Sequence, residues 1–334
     1  MKKVLLSILA LMLCLSLCLT LTGCSGEKVT EEPAEEPGEE VTKVYKIGIC
    51  QLMEHDALDA ATEGFKQAII DELGEDAVEF DVQNGQGDPA TCSTIVNQFV
   101  SNNVDLIMAN ATPALQSAVA ATGDIPILGT SVTEYGVALD LKDFNGTVGG
   151  NISGTSDLAP LDLQAAMITE WCPDAKNVGL LYCSKEANSQ YQVDVVKAEL
   201  EAKGLTVTLY PFADSNDLAQ VCTTAAENSD VIYVPTDNTV AENTGIIDNI
   251  CEPAKVPVIA GEEGICSGCG IATLSINYYD LGYTTGKMGV KLLRDGEDIS
   301  TMAIAYAEKQ TPKYNKQNCE ALGITPLEGY IAIE

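Results

Sequence analysis

Val44-Tyr45-Lys46-Ile47-Gly48-Ile49-Cys50, followed after the short gap 51–56 by an amphipathic run over 57–73, decides the fold. The first stretch is short and largely apolar and reads as a strand. In the second, Leu58, Ala61, Phe65, Ala68, Ile69 and Leu73 recur at three- and four-residue steps, which gives a helix one apolar face. The alternation continues down the chain. Strands are expected over 44–50, 78–82, 104–109 and 125–128, then over 177–183, 205–210, 230–234, 256–260 and 272–276. Helices are expected over 57–73, 89–102, 113–122, 160–171, 189–203, 218–228, 240–251 and 279–294. Strands that are apolar almost throughout and separated by helices imply parallel sheets covered on both faces.

Two successive βα sets are visible, roughly 44–150 and 175–275. They meet at Gly149-Gly150-Asn151-Ile152-Ser153-Gly154-Thr155-Ser156, whose glycines and hydroxyls suit a hinge. The helix after Tyr279 can cross back to the first set, an extended piece over 302–307 follows, and a turn over 316–322 closes the second. The fold class is therefore α/β: two doubly wound parallel-sheet lobes joined by a hinge. Lobe 1 is expected over 44–152 with about 279–303, and lobe 2 over 153–278 with about 304–334.

The N-terminus reads as an export signal. Lys2 and Lys3 precede a greasy run from Val4 to about Leu21, which closes in Leu21-Thr22-Gly23-Cys24. A basic start, an apolar stretch and small residues before a cut site make a secretory signal. It resembles the signal of bacterial lipoproteins. That resemblance implies cleavage after residue 23 and lipid on Cys24, anchoring the chain at the outer face of the cytoplasmic membrane. From Glu27 to Lys43 come seven glutamates and two prolines. Such a stretch is too polar to fold alone and is expected to act as an extended, disordered tether over 24–43.

Composition excludes whole classes of function. A formal net charge of −31 argues against nucleic-acid binding, which relies on clustered lysine and arginine. Arg294 is the sole arginine, so bidentate guanidinium recognition of an anion is available at one position at most.

Beyond the signal and Cys24, nine cysteines remain: Cys50, Cys92, Cys172, Cys183, Cys222, Cys251, Cys266, Cys269 and Cys319. An odd count leaves at least one unpaired. Most read as small hydrophobes filling a core. Cys266-Ser267-Gly268-Cys269 has the spacing of half a zinc site, yet no second pair or nearby histidine completes one. It is expected in a glycine-rich loop, as a local disulfide or two free thiols. His55 is the sole histidine, no G-x-S-x-G elbow supplies a nucleophile, and no Walker sequence occurs. His55 is assigned to the rim of a cleft or to a helix start. No catalytic residue, metal ligand or cofactor is expected.

In parallel α/β sheets ligands sit beyond the carboxyl ends of strands. Those tips carry Gln51 and Glu54 after the first strand, Ala111 and Thr112 after the third, and Ser131 and Thr133 after the fourth. In the second lobe they carry Glu186, Asn188 and Ser189, then Asp237 and Asn238, then Glu262. Thr112-Pro113 has the form of a helix cap followed by proline at the first helical position. A helix start there could seat a carboxylate without arginine. Asp237, with Glu186 and Glu262 nearby, could hold an ammonium, although Asp237 could equally be a cap. A carboxylate seat at Thr112 and an ammonium seat at Asp237 would suit an α-amino acid.

These residues also carry a resemblance. Gly48-Ile49-Cys50-Gln51 with Glu54-His55 and Leu58-Asp59-Ala60-Ala61 looks like the opening of bacterial ABC-transporter substrate-binding lipoproteins, in the tryptophan- and tyrosine-uptake branch. Asn84-Gly85-Gln86-Gly87-Asp88, Ala111-Thr112-Pro113-Ala114, Gly154-Thr155-Ser156-Asp157, Glu186-Ala187-Asn188-Ser189, Thr236-Asp237-Asn238 and Tyr278-Tyr279-Asp280-Leu281-Gly282 follow in the expected order. The resemblance spans essentially 44–334. It implies a type I periplasmic-binding-protein fold that closes on a solute and docks to an ABC permease. It adds Asp157 to the candidate ligand residues and implies an amino-acid ligand, aromatic by preference, with Tyr278 available as a π-rich wall. A surface sensor or adhesin on the same fold is the alternative.

Overall fold

The computed structural model describes residues 43–307 and 309–333. The signal segment, Cys24 and nearly all of the acidic tether lie outside the described residues. The first sheet is built from β1 (Tyr45–Gln51), α1 (Asp56–Leu73), β2 (Val78–Asn84), α2 (Pro89–Ser101), β3 (Leu106–Asn110), α3 (Thr112–Ala121), β4 (Ile127–Val132), α4 (Tyr135–Ala138) and β5 (Ile152–Ser156). The chain then enters α5 (Leu161–Trp171), β6 (Asn177–Cys183), α6 (Ala187–Ala202), β7 (Thr206–Phe212), α7 (Ser215–Asn228) and β8 (Val231–Val234). There follow α8 (Asn238–Glu242), α9 (Thr244–Ala254), β9 (Val258–Ala260), α10 (Glu263–Cys269) and β10 (Ala272–Ser275). The last elements are α11 (Tyr278–Leu293), β11 (Ala305–Tyr306), β12 (Thr311–Tyr314), α12 (Lys316–Leu322) and β13 (Ile331–Ala332).

The strands form two sheets, ordered β11-β5-β4-β3-β1-β2 and β13-β12-β10-β9-β8-β6-β7. The first is parallel throughout. The second is parallel except where β12 runs antiparallel to β10. Side-chain alternation explains why its strands read as unbroken apolar runs. In the first sheet, Ile47, Ile49, Leu106, Met108 and Leu128 pack with Phe65, Ile69 and Met288 of α1 and α11. Their neighbours Cys50, Ile107, Ala109 and Ile127 pack on the opposite face with Val96, Phe99 and Leu115 of α2 and α3. Both faces are covered, so neither can be polar.

Successive elements alternate between the sheets three times, from β5 to β6, from β10 to α11 and from β11 to β12. This differs in detail from the expected division. Gly149 and Gly150 adopt positive φ of 85° and 62° and make a turn leading into β5, which pairs with β4 and β11. The first sheet thus runs to Ser156, and the chain leaves it after that residue. The extended 302–307 segment likewise belongs to the first sheet, because Ala305 and Tyr306 pair with Thr155 and Ser156. Its two-strand residues are too few to be legible as a strand alone.

Two further differences have local causes. The single helix expected over 240–251 is broken into α8 and α9 at Asn243, whose backbone leaves the helical region and whose side chain donates to the Thr239 carbonyl at 2.8 Å. Cys266 and Cys269 lie in α10 and not in a loop, since Glu262 caps that helix by accepting from the Gly264 and Ile265 amides. All nine described cysteines are free, and all but Cys172 are buried. Cys222 and Cys251 approach to 3.7 Å between α7 and α9, filling the core as small hydrophobes do. No helix among the described residues is long and apolar enough to cross a membrane.

Candidate functional site

The carboxyl ends of β4, β5, β8 and β9 converge on one small, tightly closed cavity of about 10 Å³. Ser131, Thr133 and Asp157 line it from the first sheet, and Asn188, Asp237, Asn238 and Glu262 from the second. Tyr278, the first residue of α11, and His55, at the start of α1, complete the wall. The strand ends here are unusual. Ser131 has φ of 53° and Ala111 has φ of 92°, a region that costs a non-glycine residue roughly 1–3 kcal/mol. At Ser131 the register between β4 and β5 also slips, and the hydroxyl ends up against the cavity.

Three buried polar atoms at this cavity have no partner among the described residues: Ser131 Oγ, Asp157 Oδ1 and Asn188 Oδ1. Asp157 is the most telling. Its Oδ2 accepts from the Tyr278 hydroxyl at 2.9 Å. Burial raises its pKa above the ordinary 3.8, against hydrogen bonds from Tyr278 and Thr133 that lower it. A carboxylate held this way favours a cationic donor at its open oxygen, because pairing offsets the desolvation of the charge.

The three acids expected to hold an ammonium are occupied otherwise. Asp237 accepts from the amides of Cys183 at 2.7 Å and Val240 at 2.9 Å, tying β6 to the start of α8. Burial and the neighbouring Glu186 push its pKa up. Glu186 accepts from Thr239 N and Oγ1 with one oxygen, and from Asn238 N, Asn238 Nδ2 and Asn188 Nδ2 with the other. Glu262 caps α10, and its pKa is pushed up to about 7 by burial. Each Asp237 oxygen thus receives one main-chain amide, so the side chain serves as the helix cap that the sequence also allowed.

The expected cap at Thr112 is not formed. Ala111, not Thr112, is the residue before α3, and no side chain caps that helix. Thr112 is buried at the first helical position but does not line the enclosed cavity. Gln51 is spent on the fold: its Nε2 donates to Met53 O and Asp59 Oδ1, and its Oε1 accepts from Thr62, which staples β1 to α1. Glu54 lines a separate shallow groove with Asp59 and Glu63. Ser189 is fully buried behind Asn188. Seven of the thirteen expected ligand residues (Ser131, Thr133, Asp157, Asn188, Asp237, Asn238, Glu262) meet at the cavity. The sequence reading gave Tyr278 no polar role. Asn277, whose side chain caps α11 by accepting from Asp280, is the sequence signal that a helix, and with it Tyr278, begins at the strand's end.

One contact joins the walls directly. His55 Nε2 lies 3.2 Å from Asn238 Oδ1. The Asn238 amide is oriented by Nδ2 donating to Glu186 at 2.6 Å, so its oxygen faces the ring and His55 is the donor. Burial lowers the His55 pKa from its ordinary 6.5, opposed by that hydrogen bond and by Glu186, Asp59 and Asp56.

A two-lobed α/β molecule with a polar, arginine-free cavity between its sheets is the architecture of a solute receptor. The chain belongs to the family of ABC transporter substrate binding proteins, whose family model matches residues 46–332. It is 34% identical over 311 residues to the tyrosine-binding protein of Clostridioides difficile, covering 92% of this chain and 89% of that one. Among solved structures, an ABC domain from Streptococcus pneumoniae in complex with L-Trp superposes with a TM-score of 0.83 at 32% identity, over 87% of this chain and all of that one. The ligand-free, open structure of a substrate-binding protein with adhesive properties from Clostridium difficile gives 0.67 at 38% identity, over 87% of this chain and 99% of that one. The expected type I periplasmic-binding-protein fold is thereby borne out.

Proposed function

We propose that the chain is the extracytoplasmic receptor of an ABC importer, anchored through lipid on Cys24 and capturing an aromatic α-amino acid between its lobes for delivery to a membrane permease. The observation that carries the ligand class is Asp157, a buried carboxylate lining the cavity whose Oδ1 has no partner among the described residues. The ligand's ammonium sits on that oxygen, within reach of Ser131 and Thr133. The aromatic preference draws on the tyrosine-binding relative and the L-Trp complex. The better superposition on the complex than on the more similar open structure supports a ligand-clasping arrangement of the lobes. Calorimetry against L-tyrosine, L-tryptophan, L-leucine and a purine nucleoside tests the reading. Tyrosine or tryptophan should bind; binding of the nucleoside alone would overturn the ligand class.

A second reading, a surface adhesin or sensor on the same fold, is favoured by the adhesive properties of one relative. Uptake of labelled tyrosine by cells with and without the gene separates the two: unchanged uptake favours the adhesin.

A further inference from the structure

Two thiols of the second lobe face each other. Cys222 of α7 and Cys251 of α9 are both buried, and their Sγ atoms lie 3.7 Å apart across 29 residues of sequence. The buried thiols of Cys183, Cys269 and Cys319 instead donate to main-chain oxygens, those of Ala213, Ile265 and Ile271. A disulfide needs about 2.0 Å between its sulfurs. The remaining gap of roughly 1.7 Å lies within the sweep of the two Cβ–Sγ bonds turning about Cα–Cβ. The helix that carries one of the pair is lightly held. Its fully buried residues are Ile247 and Cys251, and it starts at the break at Asn243. It also contains Pro253, which cannot donate a main-chain hydrogen bond. Segments with few buried apolar side chains open most readily. In the packed state the hydrogen bond to Cys222 and burial push the Cys251 pKa up. The reactive form is the thiolate, so the pair stays reduced until α9 lifts.

We infer that Cys222 and Cys251 are a modification site, at which a two-electron oxidant such as hydrogen peroxide forms an internal disulfide that pins α9 to α7. One thiolate attacks the O–O bond of the peroxide, giving a sulfenic acid and water. The second thiol then displaces water from that sulfur, and the S–S bond forms. The two sulfurs give up two electrons, and one peroxide becomes two waters. The cross-link closes a loop holding β8 and α8, the helix whose cap Asp237 and first residue Asn238 line the cavity. A closed loop narrows the unfolded ensemble, so the oxidised lobe resists unfolding more than the reduced one. The export proposed for this chain decides where an oxidant is met; the sulfur chemistry does not depend on it.

The mature protein, fully reduced and freed of reductant, is incubated with hydrogen peroxide, alkylated under denaturing conditions and mapped by mass spectrometry without reduction. Cys172, the one described cysteine that is not buried, shows that the oxidant has acted. A peptide pair joined through Cys222 and Cys251, and separated by reduction, is expected. With it the melting temperature should rise several degrees above that of the reduced protein. In Cys251→Ala both the peptide pair and the oxidation-dependent rise should vanish. Consumption of Cys172 while Cys222 and Cys251 still take the alkylating agent would overturn the inference. So would their recovery as separate sulfinic or sulfonic acids or joined to other cysteines, or a linked protein that melts no higher than the reduced one. Should the variant not fold, the peptide map and melting temperature of the native protein decide alone.

Discussion

Asp157 and Asp237 are both buried aspartates at the same cavity, yet they do different work. Asp237 receives two main-chain amides, whereas Asp157 is bonded by side-chain hydroxyls and its Oδ1 has no partner among the described residues. Asp157→Asn preserves size and removes the charge. Loss of a buried charge partner costs about 2–5 kcal/mol, or roughly 30- to several-thousand-fold in affinity. Calorimetry on the variant should show that loss with little change in melting temperature; normal affinity would rule out Asp157 as the ammonium seat. Asp237→Ala should do the opposite in emphasis. A lost cap costs about 0.5–2 kcal/mol, and the buried Cys183 amide is stranded as well, so thermal unfolding should come several degrees earlier whether or not ligand is present. The sequence could show that acids cluster at the strand tips. It could not show which acid is consumed by a cap, because an aspartate three residues before a helical amide looks the same in either role.

At the scale of elements, α1 and α11 pack closely, and glycines make it possible. A Cβ on Gly282 would collide with the Ala61 main-chain oxygen, and one on Gly64 with the Tyr279 main-chain oxygen. Gly282→Ala therefore sets two effects against each other. Helix propensity favours alanine by about 1 kcal/mol, while overpacking at a backbone contact costs about 1–3 kcal/mol. Packing should win, and differential scanning calorimetry should record a lower melting temperature. A rise would mean that the helices separate freely. Because Tyr278 begins α11, ligand affinity should fall with stability. The apolar spacing of α1 was legible in the sequence, and so was the order of strands and helices. The partner of α1 was not, since it lies more than two hundred residues away. Nor were β12 and β13, whose short edge pairings form only once the second sheet exists to receive them.

At the scale of the whole molecule, His55 and Asn238 fasten one lobe to the other. The closed form lowers the pKa of His55 by burial, and opening returns the ring toward its ordinary 6.5. The closed form thus binds fewer protons at this site than the open form. Acid favours opening, and affinity should be lost as pH falls through about 6.5 toward the lower value of the closed state. Glu186, Asp59 and Asp56 temper the effect by favouring the charged ring. Asp157, whose pKa is raised, also weakens an ammonium ligand's hold as it takes up a proton. Dissociation constants measured from pH 7.5 to 5 for the native protein and for His55→Gln, which keeps a neutral donor, separate these contributions. The native profile should be steeper by up to one decade per pH unit; superimposable profiles would remove His55 from the account. The three crossings between the sheets carry a mechanical consequence. Two bodies tied by one strand can swivel about several axes, whereas three separate ties restrict the ways in which they can turn. Any approach of the lobes is then a constrained motion, and the span between their tips would carry the news of it outward.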